Sequence, residues 1–157
     1  VGGILGCLAL LLFFPEGLRS AANMATPTLG PGIDFARGVG IEAILTFFLV
    51  IVIFGTAVDA RAPKLGGLAI GLTIAFDALF AFALTGAAMN PARAFGPQLV
   101  GHEWSNWWIW YVGPLAGGAV AALLYEALYL LPGRPAQQVT PDAELAHEPP
   151  AGTAASV

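Results

Sequence analysis

Charge is what this sequence has least of. Charged residues make up 10% of its 157 residues, six of them basic and ten acidic, whereas an ordinary soluble domain has about 25%. Charges are also missing from whole stretches, namely residues 1–15, 43–58, 65–76 and 104–125. A helix at the surface of a soluble protein needs a polar face to present to water, and these stretches have none. The pattern therefore argues against a soluble protein with buried helices.

Cysteine and histidine are also scarce. The one cysteine, Cys7, excludes an intramolecular disulfide and a cysteine-rich metal site, and nothing in the sequence pairs His102 with His147. No basic stripe suggests a nucleic-acid partner. No Ser/His/Asp, Cys/His or paired-carboxylate pattern has catalytic spacing, and no Gly-rich loop follows a strand. We therefore expect no enzyme activity, no catalytic residue, no cofactor, no metal site and no nucleic-acid binding.

Apolar residues are abundant, at 57% of the chain. A membrane-spanning helix needs about 20 mostly apolar residues, because lipid offers no partner for backbone N–H and C=O groups. Several such stretches with short polar connections predict a multi-pass, all-α membrane protein. We expect the end of one span in residues 1–14, a connection in 15–37, three further spans within 38–132 and a disordered cytoplasmic tail in 133–157. Because Val1 lies inside an apolar run with no polar cap before it, we also expect a truncated span and a chain that is a fragment.

An interruption follows the second complete span. Apolar character continues from residue 78 to residue 100, yet Asn90 and Pro91 stand in the middle of it. Proline breaks a helix interior but is favoured at the first helical position, and asparagine is a good N-cap. The pattern predicts a new short helix over residues 90–100, about half as long as the ~30 Å hydrocarbon core requires.

The residues around this interruption suit a pore. Irregular backbone at membrane depth is tolerated only inside protein or along a water-filled cavity, and we expect residues 86–89 to run extended with their carbonyl groups free. The helix N-terminus at Asn90 carries about half a positive charge. The Asn90 amide can donate to a passing oxygen, and Arg93 adds a permanent cation. Such a site favours small neutral solutes and opposes cations and a proton wire.

Residues 85–97, TGAAMNPARAFGP, resemble the second signature loop of the aquaporin, or major intrinsic protein, family. Residues 38–46, 65–72 and 108–114 resemble parts of the fourth, fifth and sixth spans of that family. The resemblance implies the second inverted repeat of the aquaporin fold, with the end of span 3, spans 4–6 and one re-entrant half-helix. It also implies a multi-pass protein of the cell membrane that forms a homotetramer in the lipid bilayer.

The resemblance also assigns roles to particular residues. It implies that Glu42 braces the irregular loop by accepting N–H bonds, and it places the constriction of the pore at Ala78 and Ala87. Asp77 is expected to form structural hydrogen bonds between helices, the alternative being a role in permeation. The full set of predicted pore and selectivity residues is Asn90, Pro91, Ala92, Arg93, Ala78, Ala87, Gly86, Ala88 and Met89, with Glu42 and Asp77 as structural support.

The implied function is passive passage of water and small neutral solutes, with ammonia and hydrogen peroxide as candidates, because two alanines leave a wide filter. Two alternatives stay open. A glycerol facilitator of the same family is less favoured by Ala94 and Gln98, which stand where such channels have an acidic and a basic residue. A non-conducting membrane scaffold would have no need to keep Arg93 in the membrane, at a cost of several kcal/mol.

Other features predict topology and packing. Arg61, Lys64 and Arg134 indicate that the turn after the first complete span and the end of the last span share the cytoplasmic side. The spacing of Gly113, Gly117 and Ala121 predicts a face for close helix packing. An interfacial aromatic belt is expected from the aromatic residues after the half-helix, which are Trp104, Trp107, Trp108, Trp110 and Tyr111.

Overall fold

The computed structural model describes residues 1–62 and 65–131, and this part of the chain is helical without strands. The expected tail and the basic residues Lys64 and Arg134 lie outside the described residues. The helices are Gly2–Phe13 (α1), Glu16–Ala21 (α2), Phe35–Ile53 (α3), Gly66–Thr85 (α4), Pro91–Gly101 (α5) and Ile109–Tyr125 (α6).

Three of these elements have the length and apolarity of membrane spans. α3 continues through the π-helical turn Phe54–Val58, and α6 continues through a second such turn, Glu126–Leu130. The resulting lengths are 24 residues for Phe35–Val58, 20 for Gly66–Thr85 and 22 for Ile109–Leu130. At about 1.5 Å per residue each is at least as long as the ~30 Å hydrocarbon core. By contrast, α5 has 11 residues and can reach only about halfway.

α3 starts earlier than the sequence predicts. Its first residue is Phe35 rather than Gly38, because the Asp34 carboxylate caps the helix by accepting a hydrogen bond of 2.9 Å from the Arg37 amide. An acidic N-cap satisfies one of the free N–H groups of the first turn. Asp34 stands in the stretch predicted as a connection, and aspartate is a favoured N-cap residue. The sequence therefore contained a signal for this earlier start of α3.

The connection before α3 also differs from a plain loop. It contains α2, and after it the residues Asn23, Met24 and Ala25 all have positive φ angles of 44°, 53° and 60°. This left-handed turn is closed by a hydrogen bond of 2.8 Å from the Thr26 amide to the Asn23 carbonyl. Further along, the Gly30 amide donates to the Leu84 carbonyl at 2.8 Å, which ties the connection to the end of α4.

Glycines set the closest helix contacts. α3 and α6 form the most extensive helix pair, and a side chain on Gly117 would collide with the Ala43 carbonyl of α3. Gly113 is similarly close, since a Cβ there would lie 2.9 Å from the Val39 carbonyl oxygen. Ala121 on the same face is fully buried. The predicted close-packing face is therefore confirmed.

A second glycine contact joins the short helices. α1 packs against α5, and a Cβ on Gly3 would lie 2.7 Å from the Ala92 carbonyl oxygen. A Cβ on Gly96 would run into the Gly3 backbone. The half-helix is thereby held against α1 at the level where it begins.

Two small apolar clusters lie on either side of the chain between α4 and α5. One consists of Leu45, Ala81, Ala87 and Met89 and joins α3, α4 and this chain segment. The other consists of Ala88, Ala94, Ile109 and Trp110 and joins the same segment to α5 and α6. The non-helical segment therefore lies inside the protein, where irregular backbone at membrane depth is tolerated.

The outer faces of the long helices are apolar. Leu79 of α4 is 82% exposed and Leu123 of α6 is 68% exposed, and Phe48 of α3 also faces outward. Such a surface would be unfavourable in water but is stable against lipid chains.

Candidate pore site

Asn90 begins the half-helix. Its side-chain oxygen Oδ1 accepts hydrogen bonds from the amides of Ala92 at 2.9 Å and Arg93 at 3.4 Å, and Pro91 takes the first helical position. The cap uses only the oxygen, and the Nδ2 group forms no hydrogen bond with the described residues. Because Asn90 is exposed, this amide group can donate to a solute in the adjoining cavity.

Residues 86–89 do not run extended, and this prediction was wrong. Gly86, Ala87 and Met89 have positive φ angles of 78°, 44° and 52°. Gly86 ends α4 in the left-handed conformation, with its amide bonded to the Phe82 carbonyl at 2.9 Å, an arrangement that glycine accepts without strain. The segment is therefore irregular, and residues 86–90 form neither helix, strand nor turn. The Gly86, Ala87 and Ala88 carbonyls still accept no hydrogen bond from the described residues, so acceptors remain for a solute.

Glu42 of α3 binds this irregular segment on its buried side. Its Oε1 accepts from the Thr85 hydroxyl at 2.7 Å and from the Ala88 amide at 2.9 Å, and its Oε2 accepts from the Met89 amide at 2.7 Å. The side chain is 0% exposed. A buried carboxylate is tolerated when it accepts several hydrogen bonds, so the charge and the irregular backbone stabilise each other.

Trp110 fixes the end of α4 from the other side. It is 1% exposed, and its indole N–H donates to the Thr85 carbonyl at 2.9 Å. The prediction that Trp110 belongs to an interfacial belt was therefore wrong, whereas Trp104, Trp107 and Trp108 are exposed. In the structure α6 begins at Ile109, so Trp110 lies within this helix and the other three tryptophans precede it.

The predicted pore residues line two neighbouring cavities. The smaller cavity, of about 330 Å³, is bordered by Ala78, Gly86, Ala87, Ala88, Met89, Asn90 and Arg93, together with Leu49, Ile74 and Phe82. The larger cavity, of about 860 Å³, lies on the α1 side and is bordered by Asn90, Pro91, Ala92 and Arg93, with Cys7 and Tyr111 among its other residues. Asn90 and Arg93 belong to both cavities.

Arg93 places a positive charge beside both cavities. Its Nη1 atom is buried and forms no hydrogen bond with the described part of the chain. Among the described residues its guanidinium also has no carboxylate within 4.0 Å, since the ion pairs there are Arg37 with Asp34 and Arg61 with Asp59. The buried carboxylate of Glu42 already accepts hydrogen bonds from Thr85, Ala88 and Met89. The guanidinium is thus free to donate into the cavity.

Asp77 does not have the structural hydrogen bonds that the sequence led us to expect. Its Oδ2 atom is buried, yet it forms no hydrogen bond with the described residues. Its neighbour Ala78 borders the smaller cavity and Asp77 does not, because adjacent helical positions differ by about 100°. The structure therefore brings Ala78, Ala87 and Arg93 together but leaves Asp77 outside this group.

Gln98 lies away from both cavities. It is 0% exposed, and its Oε1 accepts from the Tyr111 hydroxyl at 3.1 Å. The Nε2 atom is buried without a hydrogen bond to the described residues. The side chain therefore belongs to the packing between α5 and α6 rather than to the cavity walls.

The turn between α3 and α4 is fastened to the end of α6. Arg61 forms a bidentate pair with Asp59, with distances of 3.0 and 2.8 Å, and also donates to the Tyr129 carbonyl at 2.7 Å. The Tyr125 hydroxyl donates to Asp59 at 3.2 Å. Hydrogen bonds from Arg61 hold the pKa of the Asp59 carboxyl well below its usual range. The turn and the end of α6 therefore lie on one side, as the arginine pattern indicated.

Within residues 1–62 and 65–131, no group of three or more His, Cys, Asp or Glu side chains is placed to hold a metal ion. What the site offers is a capped helix N-terminus, free carbonyl groups and one cation.

Three apolar spans and a partly buried half-helix with this cap define a polytopic membrane protein with a re-entrant segment. The family model of the major intrinsic protein matches residues 1–125. The chain therefore belongs to the major intrinsic protein family, and it is an integral multi-pass membrane protein. The predictions of family and fold class are confirmed.

Individual relatives agree with this assignment. The chain is 45% identical to probable aquaporin TIP3-2 of Arabidopsis thaliana over 133 residues, covering 83% of this chain and 48% of the relative. It is 40% identical to aquaporin TIP4-4 of Zea mays over 137 residues, covering 85% and 52%. It is 37% identical to the lens fiber major intrinsic protein of Oryctolagus cuniculus over 130 residues, covering 82% and 49%. The chain thus spans about half the length of these curated relatives.

A solved structure shows the same fold. The aquaglyceroporin from Plasmodium falciparum superimposes with a TM-score of 0.70, over 83% of this chain and 61% of that chain, at 22% sequence identity. At that identity the likeness concerns the fold alone.

Proposed function

We propose that this chain forms one wall of a channel that lets water and small neutral solutes cross a membrane and excludes ions and protons. The observation that carries the proposal is Arg93, whose Nη1 atom is buried without a partner in the described residues and whose side chain borders both cavities. A cation inside a membrane protein is costly and usually functional. The relatives named aquaporins support the same class of function.

Each polar group at the site has a part in this function. The Asn90 amide and the Arg93 guanidinium donate hydrogen bonds, and the free carbonyls of Gly86, Ala87 and Ala88 accept them. A water molecule can use both kinds of group as it passes. A cation meets Arg93 and the positive end of α5 together, which opposes its entry.

The filter is the part of this pore that selects among neutral solutes, and we propose that Ala78, Ala87 and Arg93 form it. Both alanines border the smaller cavity with Arg93, and each contributes one methyl group. Such a wall is wide and apolar opposite the guanidinium. It admits solutes slightly larger than water, such as ammonia and hydrogen peroxide, while charge rather than width keeps ions out.

The outer surface of the helices supports lipid and further copies of the subunit as the proposed partners. The exposed apolar faces of α3, α4 and α6 suit contact with lipid and with further copies of the subunit, and we propose a homotetramer with one pathway in each subunit. Cross-linking in membranes, followed by mass determination, tests this assembly. A protein that runs only as a monomer after cross-linking would contradict it.

The test of function is permeability. The complete protein is reconstituted into liposomes, and shrinkage after an osmotic step is followed by stopped-flow light scattering. We expect water permeability well above that of empty liposomes, with proton and potassium leaks equal to those of empty liposomes. Water permeability at the level of empty liposomes, in protein shown to be folded, would favour the scaffold alternative.

A further inference from the structure

Trp110 differs from the other tryptophans of the chain in where its ring lies. Trp104, Trp107 and Trp108 are 39%, 47% and 38% exposed, whereas Trp110 is 1% exposed. Its ring lies in one apolar cluster with Ala88 and Ala94, one on each side of Asn90. The ring therefore supports both ends of the turn that leads into the half-helix.

The indole N–H has one defined partner. It donates to the Thr85 carbonyl at 2.9 Å, at the last residue of α4. The final carbonyls of a helix have no partner within that helix, and water cannot replace one in a buried membrane site. Trp110 therefore supplies a hydrogen bond that the backbone cannot make for itself after Gly86 turns into the left-handed conformation.

Thr85 connects Trp110 to Ala87 in the cavity wall. Its hydroxyl donates to Glu42 at 2.7 Å and accepts from the Ala87 amide at 3.3 Å. Ala87 in turn borders the cavity with Ala78 and Arg93. A shift of the Thr85 peptide would therefore move the Ala87 methyl group and the Gly86 and Ala87 carbonyls relative to Arg93.

We propose that Trp110 is a positioning residue for solute selection, acting through the Thr85 carbonyl on the place of Ala87 opposite Arg93. The inference rests on the proposed channel function and adds to it a residue that touches no solute. The proposed role does not extend to the neighbouring residue Tyr111. The Tyr111 hydroxyl donates to Gln98, and its side chain borders the larger cavity.

The test compares three variants of the complete protein with the parent in liposomes. Trp110→Phe keeps an aromatic ring and removes the N–H. In the second variant, 3-benzothienylalanine replaces Trp110, which keeps the bicyclic shape and exchanges the N–H for sulfur. The control is Trp108→Phe, at an exposed position two residues earlier. Water flux and hydrogen peroxide flux are measured on the same preparations, and peptide hydrogen exchange is followed over residues 85–90.

We expect both Trp110 variants to change the ratio of peroxide flux to water flux at least about threefold, the factor that corresponds to the lower range of one hydrogen bond's net worth. Hydrogen exchange over residues 85–90 should be faster by at least about tenfold, because an anchoring bond is lost. The Trp108→Phe control should match the parent in both measurements. A purely structural role would lower both fluxes equally through fewer folded channels and leave their ratio unchanged.

An unchanged flux ratio in the benzothienylalanine variant would overturn the proposal, even if both fluxes fell. If the parent protein itself passes neither solute, the proposed channel function fails. The exchange measurement then still decides whether Trp110 positions residues 85–90. Equal exchange in this variant and in the Trp108→Phe control would refute that role.

Discussion

Glu42 Oε2 accepts a hydrogen bond of 2.7 Å from the Met89 amide, although the two residues are 47 positions apart in the chain. The same carboxylate binds the Ala88 amide and the Thr85 hydroxyl. A single buried acidic side chain of α3 thus takes the place of the backbone partners that an irregular segment inside a membrane protein lacks.

Glu42→Gln should weaken this brace while keeping its shape. An amide has one oxygen, so its NH₂ group would face the N–H of Met89 or of Ala88, and one donor would be left unsatisfied. We expect a loss of about 1–3 kcal/mol in the free energy of unfolding, measured by thermal unfolding in detergent micelles. Glu126→Gln, at an exposed position near the end of α6, is the control and should leave the melting temperature unchanged. Equal stability of the Glu42 variant and the parent would show that the carboxylate is not the brace.

Arg93→Val should separate charge exclusion from water passage. The substitution removes the cation and leaves the cavity open, so water flux is retained while proton or potassium leak rises at least severalfold above the parent. Liposomes with a pH-sensitive dye report the proton leak. Arg37→Val removes an exposed arginine that pairs with Asp34, and its leak should equal that of the parent. If the Arg93 variant leaks no more than empty liposomes, the guanidinium is not the barrier.

Ala78→His should narrow the proposed filter and add a polar group opposite Arg93. Peroxide or ammonia flux is expected to fall severalfold more than water flux, because the larger solutes lose room first. Ala78→Val adds volume without polarity and serves to separate the two effects. Stopped-flow assays on the three proteins decide the matter. Equal loss of both fluxes in the histidine variant, or a parent that passes neither ammonia nor peroxide, would contradict the wide filter.

Gly117→Ala should destabilise the contact between α3 and α6. A methyl group there would collide with the Ala43 carbonyl, and forcing the helices apart costs about 1–3 kcal/mol. The matched control is Gly40→Ala in α3, where a Cβ meets nothing within 4 Å and a gain of up to about 1 kcal/mol in helix stability is expected. The melting temperature should therefore fall in Gly117→Ala and stay equal or rise in Gly40→Ala, as measured by thermal unfolding. A stable Gly117 variant would mean that the helices are not in this close contact.

Lowering the pH should break the contacts of Asp59 with Arg61 and Tyr125 only in strong acid. The Asp59 pKa is lowered because Arg61 hydrogen-bonds to the carboxylate, so the ionised form is favoured in the folded protein. Its contribution to stability is complete above the unfolded-state pKa, about 3.9, and is lost as the pH falls through the lower folded-state pKa. Carboxyl ¹³C NMR should give a midpoint for Asp59 below that unfolded value.

Arg61→Gln removes the cause of this shift and should move the Asp59 midpoint upward, whereas Arg37→Gln should not. An Asp59 midpoint that stays the same in the Arg61 variant would rule out this ion pair as the source of the lowered pKa.

The sequence by itself determined the class, the spans and the start of the half-helix. These depend on local chemistry: a run of apolar residues long enough to cross a bilayer, and Asn90 with Pro91, which cap and begin a helix wherever they occur in such a run. The family assignment came from residues 85–97 and from the resemblance of residues 38–46, 65–72 and 108–114 to spans of the family, and it is confirmed by the match over residues 1–125.

Only the tertiary structure decided how the site is built. Ala87 and Met89 have positive φ angles, and the amides of Ala88 and Met89 bind Glu42 of another helix. Local propensity does not include such a distant partner, so it predicted an extended segment and failed. Trp110 lies inward, and Asp77 forms no hydrogen bond with the described residues. Both outcomes depend on which face of a nearly all-apolar helix packs against its neighbours. Composition cannot fix that face, because every side of such a helix is compatible with lipid, and the packing of α3, α4 and α6 selects one.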